Sequence, residues 1–292
     1  MKILITGGSG FIGKNLIEGF SSKYEILAPT HDQLELTDEQ AVEKYFKLNP
    51  VDIIIHGAVR PGHRNAKNPT ALLDANLRMF FNLARNSDRY KKLILLSSGL
   101  VYDQRHYQPK MKEDYFGRHV PADESGFSKY ISAKYVEKTE NMVELRVFGI
   151  YGKYEDYAIR FISNMLCKAI FDLPLTIKQN RKFDYIFIED LFPIIEYFML
   201  NQGKYKAYNI APDLSIELYA LAEKVLKITG KKLPIVVGES KMGDEYSGDN
   251  SRLKEQIKDL RFTPFDAGIR KLYEWYRESK SVIKKECLIV DK

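Results

Sequence analysis

Three glycines near the start of the chain, Gly7, Gly10 and Gly13, limit the available folds more than any other feature. Before them Ile3, Leu4 and Ile5 form an apolar run with no polar alternation, the pattern of a strand buried on both faces. After them Phe11, Ile12, Leu16 and Ile17 recur at helical spacing. A strand that breaks into a glycine turn and starts a helix gathers backbone N–H groups and the positive helix end at one point. That point suits a pyrophosphate. Gly7 permits the tight turn, Gly10 lets a diphosphate approach the backbone, and Gly13 lets helix and strand pack closely. A glycine triplet alone also marks turns that bind nothing. The strand before it and the helix after it favour a dinucleotide site.

The same alternation continues along the chain. Strands are expected at Tyr24 to Ala28, Val51 to His56, Leu93 to Leu96 and Met142 to Val147. Thr37 to Gln40 has the form of a capping box and opens a helix through about Leu48. Asn68-Pro69 is expected to start a helix carrying Leu72, Ala75, Met79, Phe80 and Leu83 on one face. A further helix covers about Gly126 to Thr139. Such alternation predicts a doubly wound parallel sheet with right-handed crossovers. From Tyr151 the regularity loosens. Helices are expected at Ile159 to Ile170, at Asp190 to Met199 with Pro193 in its first turn, at Ser215 to Thr229 closed by Gly230, and at Asp266 to Glu278. Phe183 to Ile188 is read as one strand. Residues 1–150 would then form the dinucleotide-binding domain, its sheet completed by parts of 181–211. Residues 151–292 would form mainly a smaller substrate-binding α/β subdomain.

At 292 residues the chain can hold such a main domain with a smaller partner. Its longest apolar runs are too short to span a bilayer, and Met1 leads straight into a strand rather than a basic-then-apolar leader. A cytoplasmic protein is expected. Two cysteines, Cys167 and Cys287, lack metal-ligand spacing, which argues against a disulfide framework or a zinc site. The formal charge of +6 is spread among interleaved acids. It suits a small anionic ligand better than a nucleic acid or a membrane surface.

Ser97-Ser98-Gly99-Leu100-Val101-Tyr102 follows the fourth strand, and ligands of an open parallel sheet bind outside its carboxyl strand ends. Tyr130 and Lys134 stand one helical turn apart on the next helix. A tyrosine could exchange a proton with a substrate oxygen, given a cation beside it, because a phenol in water ionises only near pH 10. Lys134 could be that cation, and Ser98 could hold the reacting oxygen. Tyr276 and Lys280 repeat the spacing on the last helix, so the pair alone says little. The ordered set of glycine turn, Ser98, Tyr130 and Lys134 carries the reading.

That set resembles the nucleotide-sugar branch of the extended short-chain dehydrogenase/reductase superfamily, and the likeness runs over nearly the whole chain. The resemblance implies a Rossmann-type fold, with Ser98, Tyr130 and Lys134 as catalytic residues. It also implies a cofactor site formed by Gly7, Gly10, Phe11, Ile12, Gly13, His31, Leu36 and Ala58 together with Tyr130 and Lys134. Asn76 could line the site or serve as a structural residue that kinks its helix. The segments FDYIFIEDL and FTPFDAGIRKLYEWY match the family's later strand and closing helix. The family's 4,6-dehydratases carry an Asp-Glu pair where this chain has Gly99-Leu100, which argues against dehydration. APTHDQLELTDEQAV looks like the GDP-fucose synthase group. Those enzymes epimerise with a Cys whose place here is Leu100 and a His whose place falls near Arg160, so hydride transfer is implied and epimerisation at C3 and C5 is not. The family's Asn before Tyr-Gly is Gly149 here, so substrate contacts must differ.

An acid at the end of the second strand would bind the adenine ribose of NAD. This chain has Ala28-Pro29-Thr30-His31 instead, with no arginine marking the site. NADP is therefore favoured over NAD, with His31 as a contact to the 2′-phosphate. Arg181 and Arg252 are the candidate ligands for a sugar-linked diphosphate. The expected activity is reduction of a 4-keto group on a nucleotide-diphosphate sugar. The alternatives are an NAD-dependent 4-epimerase and, from another class, a regulatory protein that senses NAD(P) without chemistry. Whether the enzyme is a homodimer is left open.

Overall fold

The computed structural model describes residues 1–62, 66 and 70–289. The first half builds β1 (Lys2–Thr6), α1 (Phe11–Phe20), β2 (Glu25–Leu27), α2 (Glu39–Leu48) and β3 (Ile53–His56). It continues with α3 (Leu72–Ala84), β4 (Lys92–Ser98), α4 (Glu124–Val136) and β5 (Met142–Val147). The second half comprises β6 (Ile150–Tyr151), α5 (Phe161–Ile170), β7 (Leu175–Gln179), β8 (Lys182–Phe183), β9 (Ile186–Phe187), α6 (Leu191–Leu200) and β10 (Ala207–Ile210). It ends with β11 (Ile216–Glu217), α7 (Leu218–Thr229), β12 (Ile235–Glu239), α8 (Ser251–Gln256), α9 (Phe265–Glu278) and α10 (Glu286–Ile289).

Six strands form one parallel sheet in the order β10-β5-β4-β3-β1-β2. The chain runs outward from β1 to β2, then returns past β1 to β3. This reversal opens a crevice at the carboxyl ends of β1 and β3. The apolar strand runs follow from burial on both faces. Ile3, Ile5, Ile53, Ile55, Ile94 and Leu145 pack into one core with α1, α5, α6 and α9. Leu4, Ile54, Leu93, Leu95 and Met142 pack into a second core with α2 and α3. Among the described residues, no helix is long and apolar enough to cross a membrane.

The structure corrects several local expectations. Asp38, not Thr37, caps α2, accepting the N–H groups of Gln40 (2.9 Å) and Ala41 (3.1 Å). Thr37 instead gives its N–H and hydroxyl to Glu35 (2.7 and 2.5 Å). β4 runs through Ser98, so Ser97 and Ser98 are ladder residues paired with Arg146 and Val147. α4 starts at Glu124, where the Asp123 side chain accepts the Gly126 N–H (2.8 Å). The expected strand from Phe183 to Ile188 is two short pieces. β8 pairs antiparallel with β11, and β9 pairs parallel with β6. Between them Asp184 turns inward and accepts N–H groups from Gly149 (3.4 Å) and Gly248 (2.6 Å), which takes the chain out of a single ladder. Asn68 and Pro69 lie outside the described residues.

One buried carboxyl gives the fold a pH dependence. Glu155 follows β6, is 8% exposed, and accepts the Ser163 hydroxyl at 2.5 Å. Burial pushes its carboxyl up to about 8, with the Ser163 bond pulling the other way. Unfolding returns it to the ordinary carboxylate range. Between those limits the unfolded chain releases a proton that the folded chain keeps. This contribution to stability therefore falls as pH rises from about 4.5 to about 8. Glu155→Gln is expected to raise Tm by about 2–8 °C at pH 8, and by less near pH 5. Parallel melting curves of the two proteins across this range would remove Glu155 as the source.

Candidate active site

The glycine turn is built by close backbone contacts. Gly7 has φ +75°, and a Cβ there would lie 2.8 Å from the Gly57 carbonyl carbon at the end of β3. Gly13 sits against the Gly7 carbonyl, where no side chain fits. Gly10 differs from both: a Cβ would meet only the Gly7 oxygen, at 3.3 Å, and otherwise points into open space. Gly10 is the N-cap of α1 in extended geometry, with no side-chain cap and no acid in the first turn. The first-turn N–H groups, Phe11 and Ile12 among them, are thereby left for an anion. These features fit the pyrophosphate of NAD(P).

The adjoining residues divide into contacts and supports. Ala58 gives its N–H to the Thr6 hydroxyl (3.2 Å), which bonds His56 Nδ1 (2.8 Å). Burial pushes His56 down to about 4, with Lys129 adding to the effect, so the imidazole is neutral. Asn76 takes the Arg60 N–H (2.7 Å) and donates to the Arg60 carbonyl (3.3 Å), so it clamps the loop leaving β3. Leu36 is 8% exposed in the core beside Val42, and its carbonyl accepts from Asn82 (2.8 Å). His31 projects outward and pairs with Glu35 at 2.9 Å.

α4, which carries Tyr130 and Lys134, packs on the turn that follows Ser98 at the end of β4. Gly126 makes that packing close: a Cβ there would be 2.8 Å from the Leu100 oxygen. Ser98 Oγ accepts the Leu100 N–H at 3.3 Å, leaving its own hydrogen free. The Tyr130 ring lies 5.0 Å from that of Phe116, and Lys134 Nζ stands 4.4 Å above the Phe116 ring and 5.7 Å from the Tyr130 ring. Lys134 also pairs with Glu137 at 3.0 Å. Sequence spacing does not mark Tyr107 and Tyr246. Their hydroxyls converge on Gly99, where a Cβ would lie 2.7 and 2.6 Å away, and Tyr107 donates to the Gly99 carbonyl. They hold the backbone next to Ser98.

A cavity of about 350 Å³ opens among α5, β7, β12 and α10. Phe161, Asn164, Lys178, Arg181, Glu239 and Leu288 are among its lining residues. Arg181 donates to Gln179 Oε1 at 2.7 Å. Arg252 does not share this cavity. It pairs with Asp114, lies 3.9 Å from Glu113 and stacks on Tyr205 at 4.5 Å. Its charge is paired within the segment after β4.

An open parallel sheet with a glycine turn at its switch point defines a dinucleotide-binding protein of Rossmann type. The profile of the NAD dependent epimerase/dehydratase family matches residues 3–211, and the chain belongs to that family. Its cofactor is NAD or NADP. GDP-L-colitose synthase from Yersinia pseudotuberculosis is 24% identical over 307 residues, covering 96% of this chain and 99% of the relative. GDP-mannoheptose C4 reductase from Campylobacter jejuni, solved with NADP bound, superposes with a TM-score of 0.82 at 23% identity, over 94% of this chain and 98% of that one. UDP-glucose 4-epimerase from Thermotoga maritima, solved with UDP-glucose, gives 0.80 at 19% identity over 96% and 100%. These solved structures share the fold.

Proposed function

We propose that this chain is a cytoplasmic reductase that uses NADPH or NADH to reduce a 4-keto group on a nucleotide-diphosphate sugar. The observation that carries the reading is the packing of α4, with Tyr130 and Lys134, on the turn that follows Ser98 at the carboxyl end of β4. The colitose synthase and heptose reductase supply the substrate class, since both names carry a GDP-linked sugar. Residues 1–150 with β10 would hold the cofactor, and residues 151–292 would mainly hold the sugar nucleotide.

When bound, NAD(P)H supplies the hydride that reduces the keto carbon. Tyr130 Oη gives its proton to the keto oxygen as charge develops there. Ser98 Oγ, already an acceptor for Leu100, donates its hydrogen to the same oxygen. Lys134 Nζ stabilises the phenolate left on Tyr130, and Phe116 packs against both side chains. By the resemblance, the positions of an epimerising Cys and His fall at Leu100 and near Arg160, which supports reduction without epimerisation at C3 and C5.

In the cavity, Arg181 would hold the diphosphate. Arg181→Ala is expected to weaken nucleotide-diphosphate binding by about 10-fold or more, with NAD(P)H affinity unchanged. Calorimetric titration of GDP, UDP and their sugars measures this. An unaltered affinity would remove Arg181 from the site. A screen of keto sugars with NADPH or NADH, read by mass spectrometry, tests the activity. Loss of cofactor without a reduced sugar, or no turnover of any keto sugar, would count against it.

A further inference from the structure

The residue that follows Ser98 is a glycine, which has no side chain of its own to fix the backbone there. The space that a Gly99 side chain would fill is taken by others. A Cβ there would lie 2.6 Å from the Tyr246 hydroxyl, 2.7 Å from the Tyr107 hydroxyl and 2.8 Å from the Phe148 ring. Tyr107 donates to the Gly99 carbonyl. The Tyr246 ring lies 5.2 Å from that of Tyr107, 5.1 Å from Phe148 and 5.5 Å from Phe183. These aromatic neighbours hold the ring and set where its hydroxyl falls.

Tyr246 reaches this point on a segment anchored along both edges. On one edge Gly243 gives its N–H to the Asn180 carbonyl (2.8 Å), next to Arg181 of the cavity, and Tyr246 gives its own to Lys182 (2.9 Å). The Tyr246 carbonyl accepts the Asp184 N–H (3.3 Å), and the Asp184 carboxyl accepts the Gly248 N–H (2.6 Å). On the other edge the Ser247 carbonyl accepts the Met111 N–H (2.9 Å), and the Asp249 N–H donates to the Met111 carbonyl (2.9 Å). Asp184, Ser247 and Met111 are all buried. The segment therefore ties the cavity wall at β8 to the stretch that follows β4, with Tyr246 in between.

We propose that Tyr246 is a positioning residue for Ser98: with Tyr107 it fixes Gly99, and so keeps the Ser98 hydroxyl aimed at the reacting oxygen. This rests on the role given to Ser98 above. Removing one phenolic oxygen from beside Gly99 loosens the glycine and leaves the aromatic packing in place. A small misplacement of a catalytic group lowers turnover rather than binding.

The test is steady-state kinetics, on a keto sugar that the enzyme reduces, of Tyr246→Phe, Ser98→Ala and the double variant. Tyr246→Phe should lower kcat by about 5–10-fold, with KM for sugar nucleotide and cofactor within about twofold and Tm within about 2 °C of wild type. Tyr107→Phe, which loses the bond to the Gly99 carbonyl, should show the same split. Adding Tyr246→Phe to Ser98→Ala should cost less than about twofold more, because the hydroxyl to be aimed is already gone. An impaired Ser98→Ala beside a fully active Tyr246→Phe would overturn the positioning role alone. So would losses that multiply in the double variant, or a Tyr246→Phe defect confined to KM. A Ser98→Ala enzyme as active as wild type would overturn the role of Ser98 and that of Tyr246 with it.

Discussion

Tyr130→Phe is expected to lower kcat by about 10²–10⁴-fold, the usual size of a general acid–base contribution. The substitution keeps the ring against Phe116 and removes only the proton that the keto oxygen needs. Cofactor affinity should change little. Lys134→Met should reduce both turnover and cofactor binding, because its ammonium is lost to the phenolate and to the cofactor at once. Tyr276, which repeats the Tyr-x-x-x-Lys spacing, is the internal control. It is 2% exposed in the core on α9, away from β4, and Tyr276→Phe should leave turnover unaffected. Steady-state kinetics on a reduced keto sugar measures all three. Equal activity of Tyr130→Phe and wild type would remove Tyr130 as the proton donor.

Gly13→Ala is expected to destabilise the protein by about 3 kcal/mol or more, whereas Gly10→Ala should leave the fold intact and damage cofactor binding. At Gly13 an added methyl meets the Gly7 carbonyl and lies 2.7 Å from Gly8 Cα, backbone that cannot move aside without opening the turn. At Gly10 the methyl meets only one oxygen at 3.3 Å and then occupies the space a pyrophosphate needs. Thermal melts should place Gly13→Ala well below wild type and Gly10→Ala within about 2 °C of it. Titration with NAD(P)H should show Gly10→Ala weakened by about 10-fold or more. Unchanged affinity in Gly10→Ala would remove the pyrophosphate from this turn.

The contrast between those glycines shows which parts of the molecule a sequence can disclose. The strand–turn–helix at the start is a local pattern, so its order and the role of each glycine follow from neighbours within a few residues. The same holds for β5, read as Met142 to Val147, and for the Gly230 cap of α7, whose φ is +68°. Features that depend on distant partners were not legible. The strand at Phe183 to Ile188 divides because Asp184 answers Gly149 and Gly248. The pairing of Arg252 with Asp114 joins residues far apart in sequence. Tyr107 and Tyr246 meet at Gly99 from two loops with no shared motif.

The central claim is that one sugar is reduced for each cofactor consumed. The direct measurement is incubation with a 4-keto nucleotide-diphosphate sugar and NADPH or NADH deuterated at the transferable position, followed by mass spectrometry of the sugar. The account predicts one deuterium in the product sugar and one oxidised cofactor for each molecule formed. A sugar nucleotide converted to its 4-epimer without net cofactor oxidation would contradict it.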